Sequence, residues 1–476
     1  MIPLKALMKS LLFLLLSAHL AFGADYAIVV SQKTAKEKNW AKVVAALQEK
    51  HSAKIIQYKH SVKEALPSLK KSFPRYACFV ATPNETTKGF VRAIHVLTRQ
   101  LDEDPYTDLF WGILSGHDAD NALAIAKTEN PLVIRNSLAC TEIALDRCER
   151  GKWFCELRKG HGVEKKALER AKSIQLPQDT TSLFVKELND GKPDLFVTSG
   201  HATENDLQLG FRYKNGVFRS KNEGTLYGLD LSGKHHSVSS PNPKIYMPIG
   251  NCLMGHLQGP KSMAAAFLKS AGVRQMMGYV EVTWYGYMGW GCLDYFIEQP
   301  GRYSFTEAFF ANHHALIHRL ESCFPGSNGA NAGGAKPTIR QSPLALQLGL
   351  GKQDLRGLLF DRDIVAFYGD PAWQAKMANG KRNWDQTLSA KGNEYSFVIK
   401  PTAGPGSFMP VNKNGVQRGH RPFVAFFGQR LEDIRIISGL EHDPVITDNF
   451  ILVPNPPNRK TAKEIKIAFE AKVRGV

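Results

Sequence analysis

The chain has 476 residues, 43% of them hydrophobic and 22% charged, with 40 glycines and 25 prolines. This composition excludes a disordered polypeptide and leaves room for two or three cores. The formal net charge of +17 implies attraction to acidic surfaces. However, Lys and Arg are spread over the whole length with no long basic run and no recognition motif, so no nucleic-acid function is expected.

Taken in chain order, the first stretch is a leader. In "MIPLKALMKSLLFLLLSAHLAFGADYAIVV", Lys5 and Lys9 precede an apolar run over Leu11 to Leu16, and Ala21-Phe22-Gly23 offers a cleavage site. This predicts a signal peptide over 1–23, cut after Gly23. The run is short for a membrane span, which needs about 20 residues, and no later segment is apolar enough to cross a bilayer. The mature chain is therefore expected to be exported, secreted or periplasmic, with no transmembrane segment. The first strand is expected to follow the leader directly.

From residue 24 strands and helices alternate. "YAIVV", "AKIIQY" and "YACFVA" read as strands, "NWAKVVAALQEKH" places Trp40, Val43, Val44 and Leu47 at helical spacing, and "VKEALPSLKKSF" reads as a helix despite Pro67. The alternation resumes with "DLFVTSG", "KIYMPIGNC" and "GVRQMMGYV", then the helical "SFTEAFFANHHALIHRLES". It predicts a mostly parallel sheet covered by helices, an αβα sandwich. "FPGSNGANAGGAKP" is a loop or linker. From about 385 short strands separated by turn residues take over, and Ile465, Ile467, Phe469, Ala471 and Val473 alternate strictly, which predicts a small β-sandwich. The expected organisation is a leader over 1–23, α/β subdomains over 24–130 and 131–384, and a β-domain over 385–476. Nothing in the sequence fixes the oligomeric state.

Seven cysteines (78, 140, 148, 155, 252, 292 and 323) permit disulfides in an exported chain, with at least one thiol left free. Cys78 reads as a core residue; Cys140, Cys148 and Cys155 could bridge or pack. Cys252 differs, because it stands just past the strand "KIYMPIG", as His201 stands just past "DLFVTSG". Adjacent parallel strands would bring imidazole and thiol to one rim of the sheet, where ligands bind in open α/β folds. A cysteine attacks as thiolate, which an imidazole or a helix N-terminus stabilises. Gly250 permits a tight turn before the thiol, and the helical pattern after it could offer N–H groups to an oxyanion. The pair suits acyl transfer; the bland alternative is a buried small Cys252 and an unrelated His201.

The two blocks "SGHATEND" and "IGNCLMGHLQGPKSMAAAFLKSAGVRQMMGYVEVTWYGYM", followed by "DIVAFYGDPAWQAKM", resemble the gingipain family of cysteine peptidases, which have a caspase-like fold. "DYAIVVSQK" and "DPYTDLFWGILSGHDADNALAIAK" resemble that family's opening segments, and the C-terminal sandwich resembles the immunoglobulin-like domain that follows its catalytic domains. The resemblance implies a cysteine endopeptidase acting on protein or peptide substrates. In it Cys252 is the nucleophile, His201 the general base and acid, and the N–H groups near Cys252 and at Ala202 form the oxyanion hole. Trp284 matches an aromatic flanking the primary substrate pocket, and Glu129 is where an acid selecting a basic side chain could come from. The chain departs from the family in having Ala202 where a glycine follows the histidine. It also places Asn121 and Ala122, near Asp118 and Asp120, where an acid would orient the histidine. The alternatives are an inactive relative that binds protein or cell-surface material through the same cleft, and a sortase-like transpeptidase.

Among rival chemistries, Cys252 with His256, His235 and His236 lacks a second close ligand pair, so no metal site is expected. A glutaminase places its histidine after the cysteine, opposite to the order here. No cofactor is expected, although the aspartates of "SGHDADN" could hold a structural calcium or simply cap turns. His314 and His318, one helical turn apart, read as a solvated or satisfied helix face rather than a site.

Overall fold

The computed structural model describes residues 25–329, 340–456 and 461–475. The leader read over 1–23 and part of the Gly-rich stretch lie outside these residues. No helix among the described residues is long and apolar enough to cross a membrane.

Twelve strands hydrogen-bond into one sheet. A first parallel run takes the spatial order Lys54–Tyr58, Tyr26–Ser31, Tyr76–Val80, Phe110–Leu114. A second comprises Val273–Tyr279, Lys244–Pro248, Leu195–Thr198, Asn136–Ala139 and Arg150–Phe154. Between them lies Val365–Tyr368, antiparallel to Val273–Tyr279 and joined to the first run by a bridge from Tyr368 to Ile113. His161–Lys165 and Lys172–Gln175 extend the far edge antiparallel. The central strands are buried end to end, as their unbroken apolar runs require when helices cover a parallel sheet.

The flanking helices follow from their sequences. Lys38–His51 buries the predicted Trp40, Val43, Val44 and Leu47. The segment around Pro67 is a short 3₁₀ turn, Val62–Ala65, that leads into the helix Leu66–Ser72, and the proline occupies that helix's first turn, where no N–H is needed. Phe305–Cys323 starts on a capping box between Ser304 and Glu307. Its buried His313 lies 3.0 Å from the Arg362 carbonyl through Nε2, and His314 stacks on Phe450.

After the α/β body a four-stranded sheet, Trp384–Lys391, Glu394–Pro401, Ile465–Val473 and Leu431–Ser438, packs on a three-stranded one, Phe423–Phe426, Phe450–Val453 and Val445–Ile446. Phe397, Ile399, Phe423, Ile451, Ile467 and Phe469 fill the space between them. The architecture is thus an α/β body with a mostly parallel sheet, as expected, followed by a β-sandwich. The sandwich is seated firmly: Val424, Phe450 and Leu452 belong to the body's core, and Tyr295 and Tyr303 donate to the carbonyls of Pro422 and Val424. Arg421, buried against Tyr287, pairs with Asp294 at 3.0 Å, and Arg418 pairs with Asp294 and Glu298.

All seven cysteines are free thiols, so the close set Cys140, Cys148 and Cys155 packs without bridging. Burial pushes the thiols of Cys140 and Cys148 up to about 12 and about 11, and those of Cys78 and Cys292 upward as well. Cys252 is the one cysteine that is not buried.

Candidate functional site

Leu195–Thr198 and Lys244–Pro248 are neighbours in the sheet, pairing in parallel from Leu195 with Ile245 to Thr198 with Pro248. The chain therefore delivers Ser199-Gly200-His201 and Ile249-Gly250-Asn251-Cys252 to the same edge. His201 is exposed and Cys252 half-buried.

Two glycines make the approach. Gly200 has φ +127°, a conformation that L side chains rarely adopt, and a Cβ on Gly250 would lie 2.5 Å from Ser199 Oγ. The next residue, Asn251, is fully buried between the two loops. Its Oδ1 accepts from Thr198 Oγ1 at 2.6 Å and its Nδ2 donates to the Gly200 carbonyl at 2.9 Å. Thr198 Oγ1 also lies 3.0 Å from Tyr246 OH. One amide side chain thus ties the cysteine loop to the backbone just before the histidine.

A third loop, 281–286, encloses the thiol. Leu253 N donates to the Glu281 carbonyl at 3.2 Å, Thr283 Oγ1 donates to the Asn251 carbonyl at 3.2 Å, and Cys252 Sγ sits 3.8 Å from the Thr283 carbonyl. Glu281 is itself held by Lys88 and Arg92, so the start of the helix Lys88–Thr98 borders the site.

The imidazole of His201 stacks on the ring of Phe211, centroids 4.7 Å apart. Phe211 is positioned by the Glu156 carbonyl, which accepts from the N–H groups of Phe211 and Arg212 at 2.8 and 3.1 Å. The Glu156 carboxyl lies buried beneath, with Oε1 accepting from Thr141, and burial raises its pKa. Among the described residues no hydrogen bond joins His201 to Cys252 or to a carboxylate. Among the described residues the backbone N–H groups of Ala202 and Cys252 likewise donate to no other group.

The remaining expected residues divide. Trp284 stands beside the thiol's loop and is 51% exposed, its ring against Phe360 and Tyr285, so it is not core packing. Glu129 is exposed on a loop whose flanking carbonyls, Thr128 and Asn130, accept from Lys50 and Trp373. No described contact links it to the His201 or Cys252 loops. Asp118 caps the helix Ala119–Ala126, accepting from Asn121 N, and pairs with Lys269. Asn121 accepts from His117 N and donates to the Leu268 carbonyl. Both are thus engaged in holding that helix.

The helix expected directly after Cys252 is displaced. Leu253 has φ +59°, Gly255, Gly259 and Pro260 interrupt the run, and the helix begins only at Met263, capped by Ser262. The thiol therefore sits in a turn, not at a helix N-terminus. Of the weighed metal ligands, His236 pairs with Asp230 and His235 stacks on Tyr227, away from the thiol. Among the described residues the acids that converge are Asp102, Asp104 and Asp108, and burial lifts Asp104 and Asp108 to about 7 and about 9.

Sequence reasoning missed Asn251, Phe211 and Glu156. Of these Asn251 carried a signal, since a buried amide next to a strand-end cysteine must find partners across the sheet edge. No protein-family profile and no curated protein sequence matches the chain. Among solved structures, it is similar to the complex of Porphyromonas gingivalis RgpB pro- and mature domains. The TM-score is 0.43 at 10% identity, over 91% of this chain and 94% of that one.

Proposed function

We propose that the protein is an exported cysteine endopeptidase in which Cys252 and His201 cleave peptide bonds. The observation that supports this reading is the delivery of one half-exposed thiol and one exposed imidazole to the same sheet edge by adjacent parallel strands, with Asn251 tying the two loops. The order of motifs resembling gingipains points the same way.

In this reading His201 takes the proton from Cys252 Sγ as the sulfur attacks the peptide carbonyl carbon. The N–H groups of Ala202 and Cys252 would receive the oxyanion. His201 returns the proton to the departing amine as the C–N bond breaks, leaving a thioester. Water, deprotonated by His201, then releases the acid and restores the thiol. Ala202 supplies the N–H as well as a glycine would.

One observation favours a second reading, an inactive relative that binds protein through this cleft. His201 stacks on Phe211 and, among the described residues, hydrogen-bonds neither to the thiol nor to a carboxylate. Treatment with a peptide bearing an electrophilic carbonyl-derived warhead, followed by peptide mapping, separates the two. Labelling confined to Cys252 and abolished in His201→Ala supports the peptidase; a peptide that binds without labelling, at an unactivated thiol, supports the inactive relative.

A further inference from the structure

Each residue of the proposed pair has an exposed large apolar side chain beside it. Phe211, 45% exposed, stacks on His201, while Val282 and Trp284, 57% and 51% exposed, flank Thr283, whose carbonyl contacts Cys252 Sγ. The β-domain adds a fourth. Its loop 411–419 is clamped to the body by Arg418 on Asp294 and Glu298, and by the N–H groups of Val411 and Asn412 on Glu298.

From that loop Gly415 lies flat on the Trp290 indole, with an added Cβ only 2.4 Å from the ring. The same indole approaches Gly250 from the other side, 3.5 Å from where its Cβ would be. The next residue, Val416, 52% exposed, meets the Cβ position of Gly286 at 3.5 Å, two residues past Trp284. Four exposed apolar side chains thus stand on the loops that carry or border the pair, and exposed apolar patches mark binding sites. Glu281, on the loop that encloses the thiol, is already matched by Lys88 and Arg92.

We infer that loop 411–419 of the β-domain is part of the substrate cleft, and that Val416, Val282, Trp284 and Phe211 make this cleft select peptides carrying a large apolar side chain beside the scissile bond. The inference rests on the peptidase reading for the bond cleaved, but the recognition stands by itself. A cleft with this wall discriminates by desolvation: an apolar side chain gains by burial, and an ammonium or guanidinium group loses water on a wall whose Glu281 is already engaged by Lys88 and Arg92.

The test compares peptides differing at one position, Leu or Phe against Lys or Arg. They are read as kcat/KM on the wild type and as binding, by Trp fluorescence or calorimetry, on Cys252→Ala. Wild type should favour the apolar peptides at least tenfold. Val416→Asp, an exposed change that leaves the thermal unfolding midpoint in place, should lower that preference several-fold, mainly through KM. Leu440→Asp, on an exposed turn of the same domain, should not.

Preference for basic peptides, or a preference that Val416→Asp leaves untouched, overturns the inference. A wild type that binds apolar peptides selectively without cleaving any supports the cleft while overturning the peptidase reading.

Discussion

Asn251 is the residue on which the geometry of the pair depends most. In Asn251→Ala both of its hydrogen bonds go: Thr198 Oγ1 keeps Tyr246 OH, whereas the Gly200 carbonyl keeps no described partner. An orphaned buried acceptor costs about 1–3 kcal/mol, and the lost bond to Thr198 about 1 more, so a local destabilisation of about 2–4 kcal/mol falls on the backbone that carries His201. Misplacement of a catalytic group by about 1 Å costs about 100-fold in rate. Cleavage of a peptide substrate should therefore drop by that order, with kcat falling more than KM rises.

Asn251→Asp gives a sharper result. Its carboxyl can accept from Thr198 in either state but donates to the Gly200 carbonyl only when protonated. Burial raises a carboxyl's pKa, so the neutral, functional form exists below the raised value and is lost as pH increases through it. The ratio of variant to wild-type activity should decline with rising pH. An Asn251→Ala enzyme within twofold of wild type, or a flat ratio for Asn251→Asp, would refute the reasoning.

Other expectations follow from neighbouring contacts. Gly250→Ala should push Ser199 Oγ aside and lower kcat/KM at least tenfold, and adding Ser199→Gly should restore most of it, since the clash is with that hydroxyl alone at 2.5 Å. Arg421→Met removes a buried cation from Asp294 and should cost about 3 kcal/mol. Limited proteolysis should then cut between the body and the sandwich in the variant while sparing the wild type. Buried Asp370, held to about 2 by His51 and Lys50, stabilises the fold above the unfolded carboxyl pKa of about 3.9. That contribution, about 2 kcal/mol, is lost as pH falls from about 4 to about 2, and Asp370→Asn should show a smaller loss over that window.

The α/β order and the strand-end pair were legible because they depend on local patterns: unbroken apolar runs such as Tyr26–Ser31, helical spacing at Trp40, Val43, Val44 and Leu47, and polar residues placed just past buried strands. What was not legible depends on residues far apart in the chain. Val365–Tyr368 enters the middle of the sheet, between strands formed 86 and 251 residues earlier at their nearest ends, and periodicity carries no trace of that. The stretch after Cys252 has helical composition, yet Gly255, Gly259 and Pro260 together with the left-handed Leu253 postpone the helix to Met263. Phe211 carries no local signal, since its place depends on the distant Glu156 carbonyl, which holds its backbone while its ring stacks on His201. Nothing local in the sequence marks Trp290, whose indole meets Gly415 of the sandwich and the Cβ position of Gly250.

The most direct test of the central claim measures alkylation and peptide cleavage together in wild type, Cys252→Ala, His201→Ala, Cys78→Ala and Cys292→Ala. The account predicts that the native protein alkylates at Cys252 faster than a free thiol of equal exposure at neutral pH. Cleavage should be abolished in Cys252→Ala and nearly so in His201→Ala, because nucleophile and base act as a unit. It should be retained in Cys78→Ala and Cys292→Ala, whose parent thiols are buried and held protonated. Cleavage that survives Cys252→Ala would contradict the account.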